Sequence, residues 1–136
     1  MGKINWPRVL LCGLLAGIVW VILGSAVTAL LGGAFAALPN NQLGKPTVTF
    51  ILLNAVIDLI EGISILWLYA AIRSRYGAGA KTAVIAVFAW WFIVTLGDVT
   101  WCSFGLFPPR TVIPLVMGTF PALLIATLAG ARFYRE

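Results

Sequence analysis

Histidine is absent from this 136-residue chain, and charge is scarce: nine basic and four acidic residues. Without histidine the chain lacks the side chain most often used as a base or metal ligand near neutral pH. The Ser–His and Cys–His nucleophile pairs go with it. Only two cysteines occur, Cys12 and Cys102, and neither stands in a CxxC pair, so no thiol metal site is expected. No glycine-rich phosphate-binding fingerprint is present. These absences argue against an enzyme, and nothing in the sequence assigns a cofactor.

What is present is apolar. Hydrophobic residues make up 62% of the chain, charged residues 10%, and the mean hydropathy is +1.05. A soluble domain of this length still needs a polar exterior, which this composition does not supply, so the bilayer is the better solvent. Four segments, about 9–37, 47–72, 82–106 and 111–131, are each long enough at ~1.5 Å per residue to cross a ~30 Å hydrocarbon core. The connections between them are too short to hold a soluble domain. The fold expected is therefore all-α: one transmembrane domain over 1–136, a polytopic, compact antiparallel four-transmembrane-helix bundle. The first segment follows basic residues as a signal peptide would, but its apolar run continues without a small-residue cleavage pattern, so it is read as a retained helix.

The basic residues predict orientation. Lys3, Arg8, Arg73, Arg75, Lys81, Arg132 and Arg135 fall on the side shared by both termini and the middle loop, and Lys45 and Arg110 on the other. That bias places both termini in the cytoplasm, in a bacterial cytoplasmic (inner) membrane. The net charge of +5 then meets lipid headgroups. Membrane lipids, and not nucleic acid, are the expected contacts.

Small residues mark where helices can approach. Gly13 and Gly17, continued by Gly24, Thr28 and Gly32, form a small-residue stripe on the first helix, and Ala122, Ala126 and Gly130 repeat it on the fourth. Pro114 and Pro121 are expected to bend the fourth helix or loosen its hydrogen-bond ladder. "PNNQLGKPT", "RSRYGAGAK" and "GLFPPRT" read as the three turns.

Three of the four acids lie inside the apolar segments. Asn54, Asp58, Glu61, Ile65 and Tyr69 share one face of the second helix, and Asp98 on the third lies at a similar depth. Acids within a membrane segment are costly and are expected to face protein or water, so a buried acidic polar cluster of Asp58, Glu61 and Asp98, extended by Asn54, is predicted. Trp20, Trp90 and Trp91 fall near mid-bilayer, away from the interfacial belt where tryptophan concentrates. Tyr69, Trp91 and Trp101 are the aromatic lining expected beside the acids, where carboxylates and ring faces can together hold a small organic or inorganic cation. The structural alternative is that the indoles fill space and donate hydrogen bonds to the acids.

Two functions fit. The first is a noncatalytic integral membrane subunit or accessory protein that packs against itself, as a homo-oligomer, or against a larger membrane complex. The second is a small proton- or cation-coupled transporter in which Asp58, Glu61 and Asp98 alternately release protons and bind a cation. In size, helix number and a membrane carboxylate beside tryptophan, the chain broadly resembles the small multidrug-resistance transporters. The signature glutamate of that family belongs to the first helix, which here carries no acid, so no residue role transfers.

Overall fold

The computed structural model describes residues 4–31 and 47–134. Its elements are α1 (Trp6–Leu31), α2 (Val48–Tyr76), α3 (Ala80–Ser103) and α4 (Pro109–Phe133). All four are long and apolar enough to cross a membrane, and no strand occurs among the described residues. The expected continuation of the first span past Leu31, including Gly32, lies outside the described residues.

Local chemistry sets the helix ends. Thr47 caps α2, its hydroxyl oxygen accepting from the Phe50 amide at 3.1 Å. α2 runs past the expected residue 72 to Tyr76, placing Arg73 and Arg75 in its last turn, where positive charge complements the helix dipole. It stops at Gly77, whose φ of 83° is a conformation that side-chain-bearing residues resist. Two further interactions hold the turn: Thr82 Oγ1 donates to the Gly77 carbonyl at 2.6 Å, and the Gly79 amide donates to the Tyr69 hydroxyl at 3.2 Å. α4 begins at Pro109, two residues before the expected start, because proline's fixed φ suits a first helical position. It continues through Pro114 and Pro121 as one helix.

α1 packs against both α2 and α4, and α3 makes lesser contacts with α2 and α4. Lipid chains are as apolar as leucine, so close van der Waals approach has to hold such helices together. Glycine provides it here. A Cβ added to Gly13 would lie 2.6 Å from the Ile63 Cα, and one on Gly17 would lie 2.7 Å from the Leu59 Cα. From the opposite side, a Cβ on Gly62 would collide with the Gly17 backbone. The other flank of α1 meets α4: a Cβ on Gly130 would come within 2.6 Å of the Cys12 carbonyl, and Ala122 and Ala126 are buried nearby. Gly24 and Thr28 do not continue the stripe into another helix. The nearest atoms to a Cβ on Gly24 belong to Trp20 of its own helix, and Thr28 is exposed.

Burial is uneven along the helices. Asn5, Tyr134 and the 77–79 turn gather at one end of the molecule, where the Tyr69 and Tyr134 rings meet edge-on at 6.1 Å, the Gly79 amide donates to the Tyr69 hydroxyl and the Asn5 amide donates to the Tyr134 hydroxyl. The buried residues of α2 run only from Gly62 to Ala70, and those of α3 only from Thr82 to Val87. Beyond them, large apolar residues on several sides of both helices are exposed, among them Phe50, Leu53 and Ile57 on α2 and Ile93, Leu96 and Val99 on α3. α1 and α4 remain in contact at that far end, where Gly118 faces Val27 and Leu31.

Candidate functional site

The glycine crossing places the first acid. Glu61 immediately precedes Gly62, and Trp20 follows Gly17 by three residues, so the close approach of α1 and α2 brings the two side chains together. Trp20 is only 8% exposed, and its Nε1–H donates to Glu61 Oε2 at 2.9 Å. Asp58, one turn earlier on α2, also lies within reach of this indole. Asp98 reaches the same neighbourhood from α3, and both aspartates are close enough for their charges to act on Glu61. Among the described residues, no lysine or arginine acts on any of the three acids.

These acids are near one another but do not form the buried cluster expected from sequence. Among the described residues Asp58, Glu61 and Asp98 are each only partly buried, because α2 and α3 lose their packing at the level where the acids project. Asn54 does not extend the polar strip inward. It is exposed, and its Nδ2 donates to the Phe50 carbonyl of its own helix at 2.8 Å. Ser64 and Thr100 likewise turn their hydroxyls back to Ile60 and Leu96 carbonyls four residues earlier. Tyr69 is not an aromatic neighbour of the acids, since it is buried at the opposite end against Tyr134.

What the helices frame instead is a partly open cavity of about 280 Å³ lined by Glu61, Asp98 and four tryptophans: Trp20, Trp90, Trp91 and Trp101. Thr28 and Thr119 also reach it, and no basic residue among the described ones does. Trp91 is fixed by a hydrogen bond from its Nε1 to the Val116 carbonyl at 3.0 Å and by an edge-on contact with Phe120 at 5.3 Å. The Val116 carbonyl also accepts from Thr119 Oγ1 at 2.8 Å, so it is shared between the indole and a hydroxyl of its own helix. Trp90 Nε1 is buried and makes no hydrogen bond; its indole lies within electrostatic reach of Glu61 but outside bonding geometry. Trp101 contributes from the rim, half of it exposed.

Two residues of the site, Trp20 and Trp90, stand out in the sequence only as unusually deep tryptophans. The available signal was register: Trp20 stands one turn from Gly17 on the packing stripe.

Chemically, two carboxylates and several ring faces without a counter-charge suit a cation that has lost much of its water. A hard divalent ion needs six or more oxygens, and no group of three His, Cys, Asp or Glu side chains among the described residues is placed to hold a metal. No family model, curated protein or solved structure matches the chain.

Proposed function

We propose that this integral membrane protein binds an organic cation in the acid–tryptophan cavity and carries it across the membrane in exchange for protons on Glu61 and Asp98, with Asp58 as a neighbouring charge. The observation that carries this reading is the pairing of Glu61 and Asp98 with four indoles around one cavity that, among the described residues, no lysine or arginine lines. Charge selects a cation, and the ring faces favour a weakly hydrated organic one over a strongly hydrated metal ion. In this reading the four helices form an antiparallel bundle in a bacterial inner membrane, and the excess of basic residues at the end that carries both termini favours a cytoplasmic placement for it.

Tetrapropylammonium is a suitable probe. Added to the protein in lipid nanodiscs, it is expected to alter tryptophan emission saturably, and Glu61→Gln with Asp98→Asn is expected to abolish the response. In proteoliposomes, a proton gradient should drive its counter-flow. Absence of saturable binding by the wild-type protein rejects the reading.

A second reading, the noncatalytic subunit, is favoured by the far halves of α2 and α3, which expose Asn54 and part of Asp58 among apolar residues on several sides. Polar groups so placed in a bilayer call for a protein neighbour. Extraction in mild detergent that recovers a stoichiometric second membrane protein, together with unaltered emission on adding tetrapropylammonium, would favour that role.

A further inference from the structure

We infer that the bound cation is amphiphilic, with its charged head in the acid–tryptophan cavity and a single apolar tail lying in the groove between α3 and α4. The inference rests on the cation-binding reading and extends it to the shape of the ligand.

A second volume of about 390 Å³ adjoins the first. Trp91, Asp98, Val112 and Val116 line both, so the two spaces share a wall along which one molecule can bridge them. Their chemistry differs sharply. The first holds two carboxylates and four indoles. The second is walled by Val99, Cys102, Ile113 and Met117, with the Thr95 hydroxyl and the Asp98 carboxylate as its polar members. Asp98 therefore stands where a charged head would join a tail. The groove follows α3 from Trp91 to Cys102, about 16 Å at the α-helical rise, long enough for an alkyl chain. Val99, Ile113 and Met117 are each more than half exposed, so the groove opens sideways. A tail can enter from the bilayer without passing through a water-filled route.

When Asp98 is ionised its carboxylate pairs with the head of a free single-chain cation and repels the phosphate of a phospholipid, which selects the former as the occupant. Tail length alone is a poor test, because a longer chain also partitions more strongly into any bilayer. The location of the tail and its dependence on the head are the informative measurements. The probe is dodecyltrimethylammonium bearing a diazirine at the end of its chain, photolysed with the full-length protein in nanodiscs, with adducts mapped by mass spectrometry. Adducts are expected on the groove residues Val99, Cys102, Ile113 and Met117, and excess tetrapropylammonium should displace them by competing for the head site. Ile113→Trp or Met117→Trp, both at exposed positions, fills the groove. Either should weaken the tailed cation about tenfold while changing tetrapropylammonium binding less than about twofold.

Adducts scattered over the outer faces of all four helices would place the tail in bulk lipid and overturn the inference while leaving the head site intact. Groove adducts that persist under excess tetrapropylammonium would assign the groove to lipid-like occupancy independent of the head, and also overturn it. If tetrapropylammonium itself fails to bind, the preceding reading fails, and this one with it.

Discussion

At the end of the molecule that carries Asn5, the 77–79 turn and Tyr134, every helix has a buried face, and α1 and α2 approach until only glycine fits between them. At the far end α1 and α4 stay together while α2 and α3 present apolar side chains outward on several sides. Within the apolar spans both halves are built of large aliphatic and aromatic residues. The difference lies in small residues. Gly13, Gly17, Gly62 and Gly130 sit where another backbone arrives, whereas Gly97 has open space where its Cβ would be. In lipid, where apolar surface alone gives no reason for helices to associate, shape complementarity decides which halves join and which do not. The acids lie at the boundary between the two regimes, and the cavity exists because packing stops there.

The strongest way to break this comparison is to remove the close approach. Gly62→Val places a branched side chain against the Gly17 backbone, with no flexible atom available to give way. The expected loss is about 3 kcal/mol, at the upper end for overpacking, read as a lower midpoint of SDS-induced unfolding in mixed micelles. Gly13→Val should follow closely, since its Cβ would meet the Ile63 backbone. A midpoint unchanged in both variants would mean that the α1–α2 crossing is not the stable part of the molecule.

Next in size is the boundary itself. Trp20→Phe keeps most of the buried ring but removes the donor to Glu61 Oε2. A cost of about 1–2 kcal/mol is expected, between the average for membrane hydrogen bonds and that for bonds to charged groups. The same variant should weaken tetrapropylammonium binding by freeing the Glu61 carboxylate to move. A smaller effect is expected at the packed end: Tyr69→Phe leaves the edge-on contact with Tyr134 in place and removes only the acceptor for the Gly79 amide. That loss is expected to cost about 1 kcal/mol in the same unfolding assay.

Much of the architecture was legible because bilayer solvation imposes a simple rule of length and hydropathy, and the four spans follow it. Turn chemistry was legible too: the glycines of "YGAGAK" end α2 and start α3 because positive φ is needed at Gly77 and Gly79. Gly13, Gly17 and Gly130 were readable as small residues at helical spacing. The stripe past Gly17 was over-extended, because spacing alone does not reveal where a neighbouring helix departs. That same departure explains the acids. Helical periodicity correctly put Asp58 and Glu61 on one face, but burial depends on whether α3 closes over that face, and nothing in the sequence of α2 encodes the position of α3. Asn54 and Tyr69 share the periodicity of the acids yet lie at opposite extremes of burial for this reason. Trp20 became part of the site through an interhelical register fixed by glycines on two different segments, which no single-segment pattern displays.

The smallest expected effect is also the one that most sharpens the contrast between the two ends. Gly97 occupies α3 one residue before Asp98, and a Cβ there meets nothing within 4 Å. Gly97→Leu should therefore leave the unfolding midpoint unchanged or raise it slightly, since replacing glycine inside a helix favours the helix by up to about 1 kcal/mol. The same chemical change at Gly62 should be ruinous, so the pair isolates the neighbouring backbone as the cause. The measurement has a second use when made on protein kept in native membrane patches. If Gly97→Leu destabilises there but not for the isolated chain in micelles, another helix approaches α3 at that point in the bilayer. The open half would then be an interface, and the noncatalytic subunit reading would gain over the transporter. If the variant is neutral in both settings, lipid is the neighbour of α3, and the sideways opening of the groove beside Asp98 remains available to a membrane-borne cation.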